Sequence, residues 1–360
     1  MISVIVYAME DKNIFQKLWI PIGITNLIHK KNDFIVRTIS NVSIIIRNDG
    51  QSIRAFKNQC SHRGSQLFTV ERGSSPLVCP FHAWSYHDNG KLKRIPLIER
   101  YGFSESDCEK IKLTEYSTKV IGKIIFINLD KNPLRIEDQL DDDIIKVVEE
   151  ISNNLDINTS LVQLKINADW KLMMDITKDS LHPRFVHRES FVFSGDKLDD
   201  NDYYEERKEL IHNDLKNLSS FWKKNGDTNQ KEEAWFKNVS RYGSEGAYYD
   251  LFIFPNFHMF SGDGGYSFGY TIYFPNSDNY TIADYAYTHG AKIKNDRTLH
   301  IVHQKAIGIG LKVFKEDIQM MENVSTSLKY NKDFQPKYGN FDQSIREFRR
   351  WLDKLRKRKS

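Results

Sequence analysis

Short bursts of apolar residues, broken by polar turns, run from residue 17 to about 129. "DFIVRTI" (33–39), "SIIIRN" (43–48) and "IRAFKN" (53–58) are rich in β-branched and aromatic residues, and "NDG" at 48–50 is a hairpin-type turn. "GKIIFINL" at 122–129 closes this stretch. The polar "NPLRIEDQLDDDIIKVVEEISNNLD" that follows predicts a partly helical connector and a domain boundary. "SLVQLKINADW" then predicts a strand, and "DWKLMMDITKDSL" a helix that stops before Pro183. Residues 200–240 are charged and poorly periodic, which predicts a mobile insertion or helix. Strand patterns return over 248–303 in "YDLFIFPNFHMF", "YSFGYTIYF" and "TIADYAYTHG", and helices are expected at about 311–330 and 341–357. No internal repeat is found. The pattern predicts an α+β chain: a small all-β domain over 1–130, a connector over 131–160, and an antiparallel sheet wrapped by helices over 161–360.

Composition narrows the class. With 360 residues, 40% hydrophobic and 12% aromatic, the chain can build real cores and is not globally disordered. Its 52 basic and 48 acidic residues nearly balance, which argues against a dedicated nucleic-acid binder. The one basic cluster, "REFRRWLDKLRKRKS", carries Phe341, Ile345, Phe348, Leu352 and Leu355 on or before it at helical spacing, so it reads as an amphipathic helix with a solvated basic face. No apolar run approaches the roughly 18–20 residues of a membrane span. "MISVIVYAMEDKN" turns acidic too soon for a secretory signal, and three cysteines make no disulfide framework. A cytoplasmic protein without nucleic-acid or membrane partners is expected.

Candidate chemistry starts with two turns. Cys60-x-His62 and Cys79-x-x-His82, sixteen residues apart, sit in the turn-like sequences "CSHRG" and "CPFH". Coincidence suits apolar strands better than such turns. A structural zinc site and a two-iron cluster, with two thiolates on one iron and two imidazoles on the other, both use this donor set. A zinc finger usually pairs Cys with Cys and His with His in sequence, whereas here each turn offers one of each, which suits two loops reaching across a two-iron rhomb. Cys60-Ser-His62-Arg-Gly and Cys79-Pro-Phe-His82-x-Trp84-x-Tyr86 resemble the Rieske signature of the Rieske non-haem iron oxygenases, in their α (catalytic) subunits. Gly64 and Pro80 would let the loops close over the sulfurs, and Trp84 and Tyr86 would shield the cluster. Cys108 has no partner at motif spacing and reads as a bystander.

A second site lies in "DWKLMMDITKDSLHPRFVH" (169–187). His182 and His187 are five apart, so a straight helix would part them, but Pro183 disfavours helical geometry at His182 and lets the chain swing back. Asp175, Asp179 and His182 follow i, i+4, i+7 and would share one helical face. Two histidines and a carboxylate form the facial triad of non-haem Fe(II) oxygenases. The family resemblance carries His182 and His187 as iron ligands and Asp179 as the carboxylate bridging a metal histidine to a cluster histidine of a neighbouring subunit. Asp169, Asp175 and Ile176 depart from the family's Asn, Glu and Asn. In "LKVFKEDIQMMENV", Asp317 stands among Val313, Phe314, Met320 and Met321 at helical spacing, an acid in an apolar face, and is chosen as third ligand over Glu316 and Glu322. Among the other histidines, His258 reads as core, and His289, His300 and His303 as surface or strand residues.

The resemblance runs from "LWIPIG" (18–23) to the last two helices. It implies a Rieske 2Fe–2S domain, a helix-grip catalytic domain with mononuclear Fe(II), and a homotrimer in which electrons cross between subunits. It further implies O2 as cosubstrate and hydroxylation or oxidative demethylation of a small organic molecule, an arene or a quaternary amine. No G-x-G-x-x-G stands in a β-turn-α context, so NAD(P)H would act only through a separate reductase or ferredoxin. Phe191, Phe193, Tyr249, Phe252, Phe254 and Phe257 suggest an aromatic-lined pocket, although most of them read as ordinary core. The competing readings are a Rieske electron carrier without oxygenase activity and a zinc-stabilised binding module.

Overall fold

In a computed structural model, the structure describes residues 12–179, 181–187, 190, 214–224, 233–244, 246–276, 280–294, 297–331 and 333–357. The chain divides into two compact units, Phe15–Pro133 and Leu134–Ser360 with Met1–Ile14. Residues 131–160, expected as a connector, hold the single-turn helix Ile136–Asp138, a full helix and the start of a strand, and from Leu134 on they cluster with the second unit.

Helix α1 (Lys12–Lys17) leads into the first unit, whose strands are β1 (Ile20–Ile24), β2 (Asp33–Ile39), β3 (Val42–Asn48), β4 (Ile53–Lys57), β5 (Arg72–Ser74), β6 (Ser85–Tyr86), β7 (Leu92–Arg94), β8 (Glu115–Ile121) and β9 (Ile124–Asn128). They form an antiparallel sheet in the order β1-β9-β8-β4-β3-β2-β5 and a separate β6-β7 hairpin. The runs read as strands from their β-branched content are those that pair: β2 faces β3 from Phe34↔Arg47 to Ile39↔Val42. Cys60 and Cys79 belong to the core between sheet and hairpin, with Phe34, Ile45, Phe56, Leu77, Trp84 and Tyr86. Helix α2 (Glu105–Lys110) carries Cys108, and its N-terminus is closed by a capping box between Ser104 and Asp107.

The second unit contains α3 (Asp142–Asn153), β10 (Leu155–Ile166), α4 (Trp170–Lys178), α5 (Pro183–Val186), β11 (Ser220–Lys224), β12 (Tyr248–Ile253), β13 (Phe257–Ser261), β14 (Ser267–Pro275), β15 (Thr281–Gly290), α6 (Leu299–Tyr330) and α7 (Gln343–Lys357). Its sheet is antiparallel in the order β10-β15-β14-β13-β12-β11. Tyr285 on β15 and Tyr273 on β14 share one face, which Phe314 of α6 covers at ring distances of 5.2 and 6.2 Å. Helix α7 buries Ile345, Phe348, Trp351 and Leu352, as its apolar spacing predicts, while Phe341 stays exposed.

Three expectations change here. β11 is an edge strand, paired from Ser220↔Phe252 to Lys224↔Tyr248, within a stretch read as insertion or helix; its sequence, SFWKK, has no β-branched residue and no apolar–polar alternation. Helix α6 begins at Leu299, about three turns before the expected 311. Two glycines, Gly308 and Gly310, hid those turns, since glycine is a poor helix former. Gly310 has a steric reason: a Cβ there would stand 1.8 Å from the Tyr285 hydroxyl, so the helix lies on β15 only without a side chain. Lastly, His303 is a buried helical residue rather than a surface or strand one, and its Nε2 accepts from the Ser160 amide at 3.2 Å.

Burial, aided by the neighbouring His289 and His300, lowers the His303 pKa from 6.5 to about 4, against an opposing pull from Asp156. The folded pKa lies below the unfolded one, so the unfolded chain gains the proton first as pH falls. The stability linked to a neutral His303 is therefore complete above pH 6.5 and drains away toward pH 4, by about 3 kcal/mol in all. Urea midpoints at pH 7 and pH 5 are expected to separate more for the wild type than for His303→Gln; equal separations would contradict this.

Candidate functional site

The two Cys/His turns are built by their own backbones. β4 ends at Lys57, and the buried Asn58 side chain holds the next loop: its Nδ2 donates to the Phe68 carbonyl at 2.7 Å and its Oδ1 accepts from the Leu67 and Phe68 amides at 2.9 and 3.1 Å. The Cys60 amide donates to Ser65 O at 2.7 Å and Gly64 N to Cys60 O at 3.0 Å, a tight turn that needs the left-handed φ of +77° at Gly64. The second turn closes with Cys79 N to Trp84 O at 2.8 Å and Ala83 N to Cys79 O at 2.9 Å, and places Ala83 at φ +54°.

These turns bring donors together by type. The Cys60 and Cys79 thiols interact directly and are buried, and the half-buried His62 and His82 rings meet edge-on at 4.8 Å. Trp84 stacks flat on His62 at 4.6 Å. His82 Nδ1 is buried without a hydrogen-bond partner, the state of a nitrogen whose partner is a metal. Burial, with His82 close by, lowers the His62 pKa and so favours the neutral imidazole that a metal needs. A single tetrahedral zinc would draw all four donors to within about 4 Å of one another. Among the described residues, the group of three or more donor atoms that close, within 4.8 Å, is a different one. Sulfur paired with sulfur and imidazole with imidazole suits two irons instead.

Tyr86 lies under this site, its hydroxyl 3.1 Å from Cys60 Sγ and accepting from the Ser61 amide at 3.0 Å. A hydroxyl donating to a cluster sulfur stabilises the reduced, more negative state. Tyr86→Phe is expected to lower the cluster potential by roughly 30–60 mV in protein-film voltammetry, about 0.7–1.4 kcal/mol for one electron. An unchanged or higher potential would contradict that role.

The second donor group is His182, His187 and Asp317, with donor atoms all within 4.8 Å of one another. His182 Nδ1 donates to the Asp179 carbonyl at 2.8 Å, and His187 Nδ1 to Glu316 Oε2 at 2.9 Å. Both acceptors lack a proton to give, so each ring carries its hydrogen on Nδ1 and turns the Nε2 lone pair inward. The Nε2 atoms lie 3.4 and 3.1 Å from Asp317 Oδ1, which is buried and makes no hydrogen bond of good geometry. Two lone pairs facing an unpaired carboxylate oxygen are costly unless a cation is shared between them, and this donor set fits Fe(II). Burial acts to raise the Asp317 pKa, but positive charge on His182 and His187, in the place a bound cation would take, holds the carboxyl below its ordinary value. His187 is raised despite burial, by Asp317 and Glu316. Ser190 Oγ also donates to Glu316, and these contacts lower the Glu316 pKa.

The route by which the chain reaches this geometry differs from expectation. The helix breaks at Asp179, which is extended (φ −85°, ψ 118°), while His182 is helical in spite of Pro183. Asp175, Asp179 and His182 therefore do not share a helical face. Asp179 Oδ1 instead accepts from the Leu181 and His182 amides at 2.7 and 3.2 Å and shapes the turn. Asp175 pairs with Arg349 of α7 at 2.9 Å. Asp169 caps α4, accepting from the Lys171 amide at 2.9 Å, and neutralises the buried Lys171 ammonium at 2.8 Å, so an acid has its own use there. Ile176 is buried in the core.

In the sequence, Glu316 stands beside Lys312 and Gln319 and looks like a surface acid. Its only signal was adjacency to Asp317. Of the aromatics read as a pocket, Tyr249 and Phe257 lie on the sheet face away from α6, against Tyr242 (5.2 Å) and Tyr270 (5.7 Å). Phe252 takes the Lys178 ammonium at 3.4 Å from its ring centre, and Phe254 packs on Phe348 at 5.9 Å. Phe191 and Phe193 lie outside the described residues. Phe314 stands one turn before Asp317 on α6, and Tyr273, against which it packs at 6.2 Å, has its pKa raised chiefly by burial, with the Asp317 charge adding to it. His258 is half-buried and bonds Asp250 at 3.0 Å.

Comparison with known proteins agrees with both halves. Residues 19–116 match the Rieske [2Fe-2S] domain, and residues 151–357, more than half of the chain, match the ring hydroxylating alpha subunit (catalytic domain). The carnitine monooxygenase oxygenase subunit of Escherichia coli (strain K12) is 31% identical over 179 residues, 49% of this chain and 47% of that one. The glycine betaine monooxygenase oxygenase subunit of Pseudomonas aeruginosa (strain UCBPP-PA14) is 30% identical over 189 residues, 51% and 42% of the two chains. The match thus spans about half the length of these curated relatives. Among solved structures, a quaternary ammonium Rieske monooxygenase with L-carnitine aligns at TM-score 0.72 and 18% identity, over 97% of this chain and 92% of that one. Naphthalene 1,2-dioxygenase from Rhodococcus sp. aligns at TM-score 0.72 and 17% identity, over 98% and 92%. At these identities the structural likeness speaks for the fold.

Proposed function

The chain belongs to the ring-hydroxylating alpha-subunit family, and from that premise we propose that it is the terminal oxygenase component of a Rieske oxygenase system. The observation that carries this reading is the convergence of His182 Nε2, His187 Nε2 and Asp317 Oδ1 in a chain that also presents Cys60, His62, Cys79 and His82 as paired donors. Cys60, His62, Cys79 and His82 would hold the 2Fe–2S cluster, and His182, His187 and Asp317 the mononuclear Fe(II). When bound, the cluster supplies single electrons and the iron supplies open positions for O2. The chain's own residues fix both imidazole tautomers and favour an ionised Asp317 carboxylate.

In monooxygenation the net reaction consumes substrate, O2, two electrons and two protons and yields hydroxylated product and water; in arene dioxygenation the same inputs give a dihydrodiol that holds both oxygen atoms. The electrons come from NAD(P)H through a separate reductase or ferredoxin. Hydroxylation of an N-methyl group then releases an aldehyde. A small quaternary amine is the favoured substrate class, from the carnitine and glycine betaine relatives. An arene is the second reading, supported by the 2-aminobenzenesulfonate 2,3-dioxygenase subunit alpha of Alcaligenes sp., 27% identical over 213 residues. We further place the chain in a homotrimer in a reducing, cytoplasmic compartment, with Asp179 carrying electrons from a neighbouring subunit's cluster; one structural neighbour is described with inter-subunit electron transfer.

The test is a single turnover without a reductase. Protein reduced with dithionite and desalted anaerobically is mixed with O2 and a panel of quaternary amines and arenes. Substrate-dependent acceleration of cluster reoxidation, with aldehyde or hydroxylated arene formed, is expected. Reoxidation at one rate whatever is added, with no product from a protein loaded with both metals, would favour the electron-carrier reading.

A further inference from the structure

The two metal-facing histidines are held differently. His182 gives its Nδ1 hydrogen to a main-chain carbonyl, whereas His187 gives its own to the carboxylate of Glu316 at 2.9 Å. Glu316 is itself fixed, because Ser190 Oγ donates to its other oxygen. Helix α6 therefore delivers one donor directly through Asp317 and, from the adjacent residue, the group that aims a second donor 129 positions earlier in the chain. The His187 side chain is only 3% exposed, so water cannot replace this partner freely. A charge-assisted bond to Nδ1–H is stronger than one to a carbonyl and leaves Nε2 a better electron donor.

We propose that Glu316 is a positioning residue of the mononuclear centre, which orients His187 through Nδ1 and makes it the stronger imidazole donor of the two. This rests on the reading of His182, His187 and Asp317 as a divalent metal site. Glu316 holds the ring, and Ser190 holds Glu316.

The experiment uses the full chain with its cluster present and oxidised, freed of mononuclear metal and titrated with Co2+ as the probe. Glu316→Ala is expected to weaken Co2+ binding by about 10–100-fold, the usual effect of removing a partner of a ligand. Glu316→Gln, whose amide oxygen can still accept from Nδ1, is expected to fall between the two and covers the case in which the alanine variant folds poorly. In proton NMR of the Co2+ form, two shifted, exchangeable imidazole N–H signals are expected. Glu316→Ala should speed solvent exchange of one, from His187, and leave the other, from His182, unchanged; a merely structural role for Glu316 would alter melting and neither signal. Variants that bind Co2+ within twofold of wild type, with both signals unaltered, overturn the proposal while leaving the site reading intact. Wild-type protein that binds no Co2+ in an Asp317-dependent way overturns both.

Discussion

Asp317→Ala is expected to yield a red-brown protein that keeps its cluster and loses its mononuclear iron. Iron should fall from about three to about two atoms per chain while acid-labile sulfide stays near two. The physical reason is the geometry of Asp317 Oδ1, the buried oxygen that both Nε2 atoms face at 3.4 and 3.1 Å. Removing a residue that only supports a ligand costs roughly 10–100-fold in metal affinity, so removing the ligand should cost more than about 100-fold. Substrate-coupled O2 consumption should drop to background. Asp317→Asn separates charge from shape: it keeps the volume and an acceptor oxygen but lacks the negative charge that two imidazoles and a dication need, and should also fail to retain iron. Iron content and the visible spectrum, measured side by side, check this. An Asp317→Ala protein with full iron would move the third ligand elsewhere.

The second large effect is on stability. Arg349 of α7 and Asp175 of α4 meet through two hydrogen bonds, Nε–Oδ1 at 2.9 Å and a second between the guanidinium and Oδ2, with side chains only 12% and 18% exposed. Burial pushes the Asp175 pKa up, and Arg349 is what opposes that push. Arg349→Ala therefore strands a carboxylate in the packing between α4 and α7. Breaking a buried pair costs about 3–5 kcal/mol, and residual exposure places this one near 3 kcal/mol. The loss should be largest at neutral pH and shrink as pH falls, because the stranded carboxyl, its pKa raised further, can then take up a proton. Replacing both residues with leucine should recover most of the loss. Urea unfolding of the three proteins at pH 7 and pH 5.5 decides the matter. A single variant within about 0.5 kcal/mol of wild type would reduce the pair to a surface contact.

These two sites show what could be read in advance. β2, β3, β4 and β9 were legible because each is a local run of β-branched and aromatic residues bounded by turns, and each pairs with at least one strand that follows or precedes it directly in the chain. The Cys60/His62 and Cys79/His82 turns were legible because their chemistry is packed into two short loops. Asp317 stood out as an acid on an apolar helical face, a conflict that function resolves. Contacts that depend on distant returns of the chain were not legible. Asp175 and Arg349 are 174 residues apart, and Glu316 finds His187 across 129. The first turns of α6 were hidden for a related reason: Gly310 weakens the helical pattern, and its purpose is a tyrosine hydroxyl supplied by another strand.

The break at Asp179 follows the same logic. Spacing alone makes Asp175, Asp179 and His182 one helical stripe, yet Asp179 gives its Oδ1 to the amides of Leu181 and His182 and its carbonyl to the His182 ring. A short polar side chain able to satisfy nearby amides competes with the helix and ends it. The consequence is functional: the turn made by Asp179 aims His182 at Asp317.

The central claim is that one chain holds a two-iron cluster and a separate iron. Anaerobic purification followed by iron, zinc and acid-labile sulfide analysis, with a visible spectrum, tests it most directly. About three irons and two sulfides per chain in a red-brown protein, the third iron lost on Asp317→Ala and the cluster lost on Cys79→Ser, is the predicted result. Zinc without sulfide in a colourless protein would contradict it.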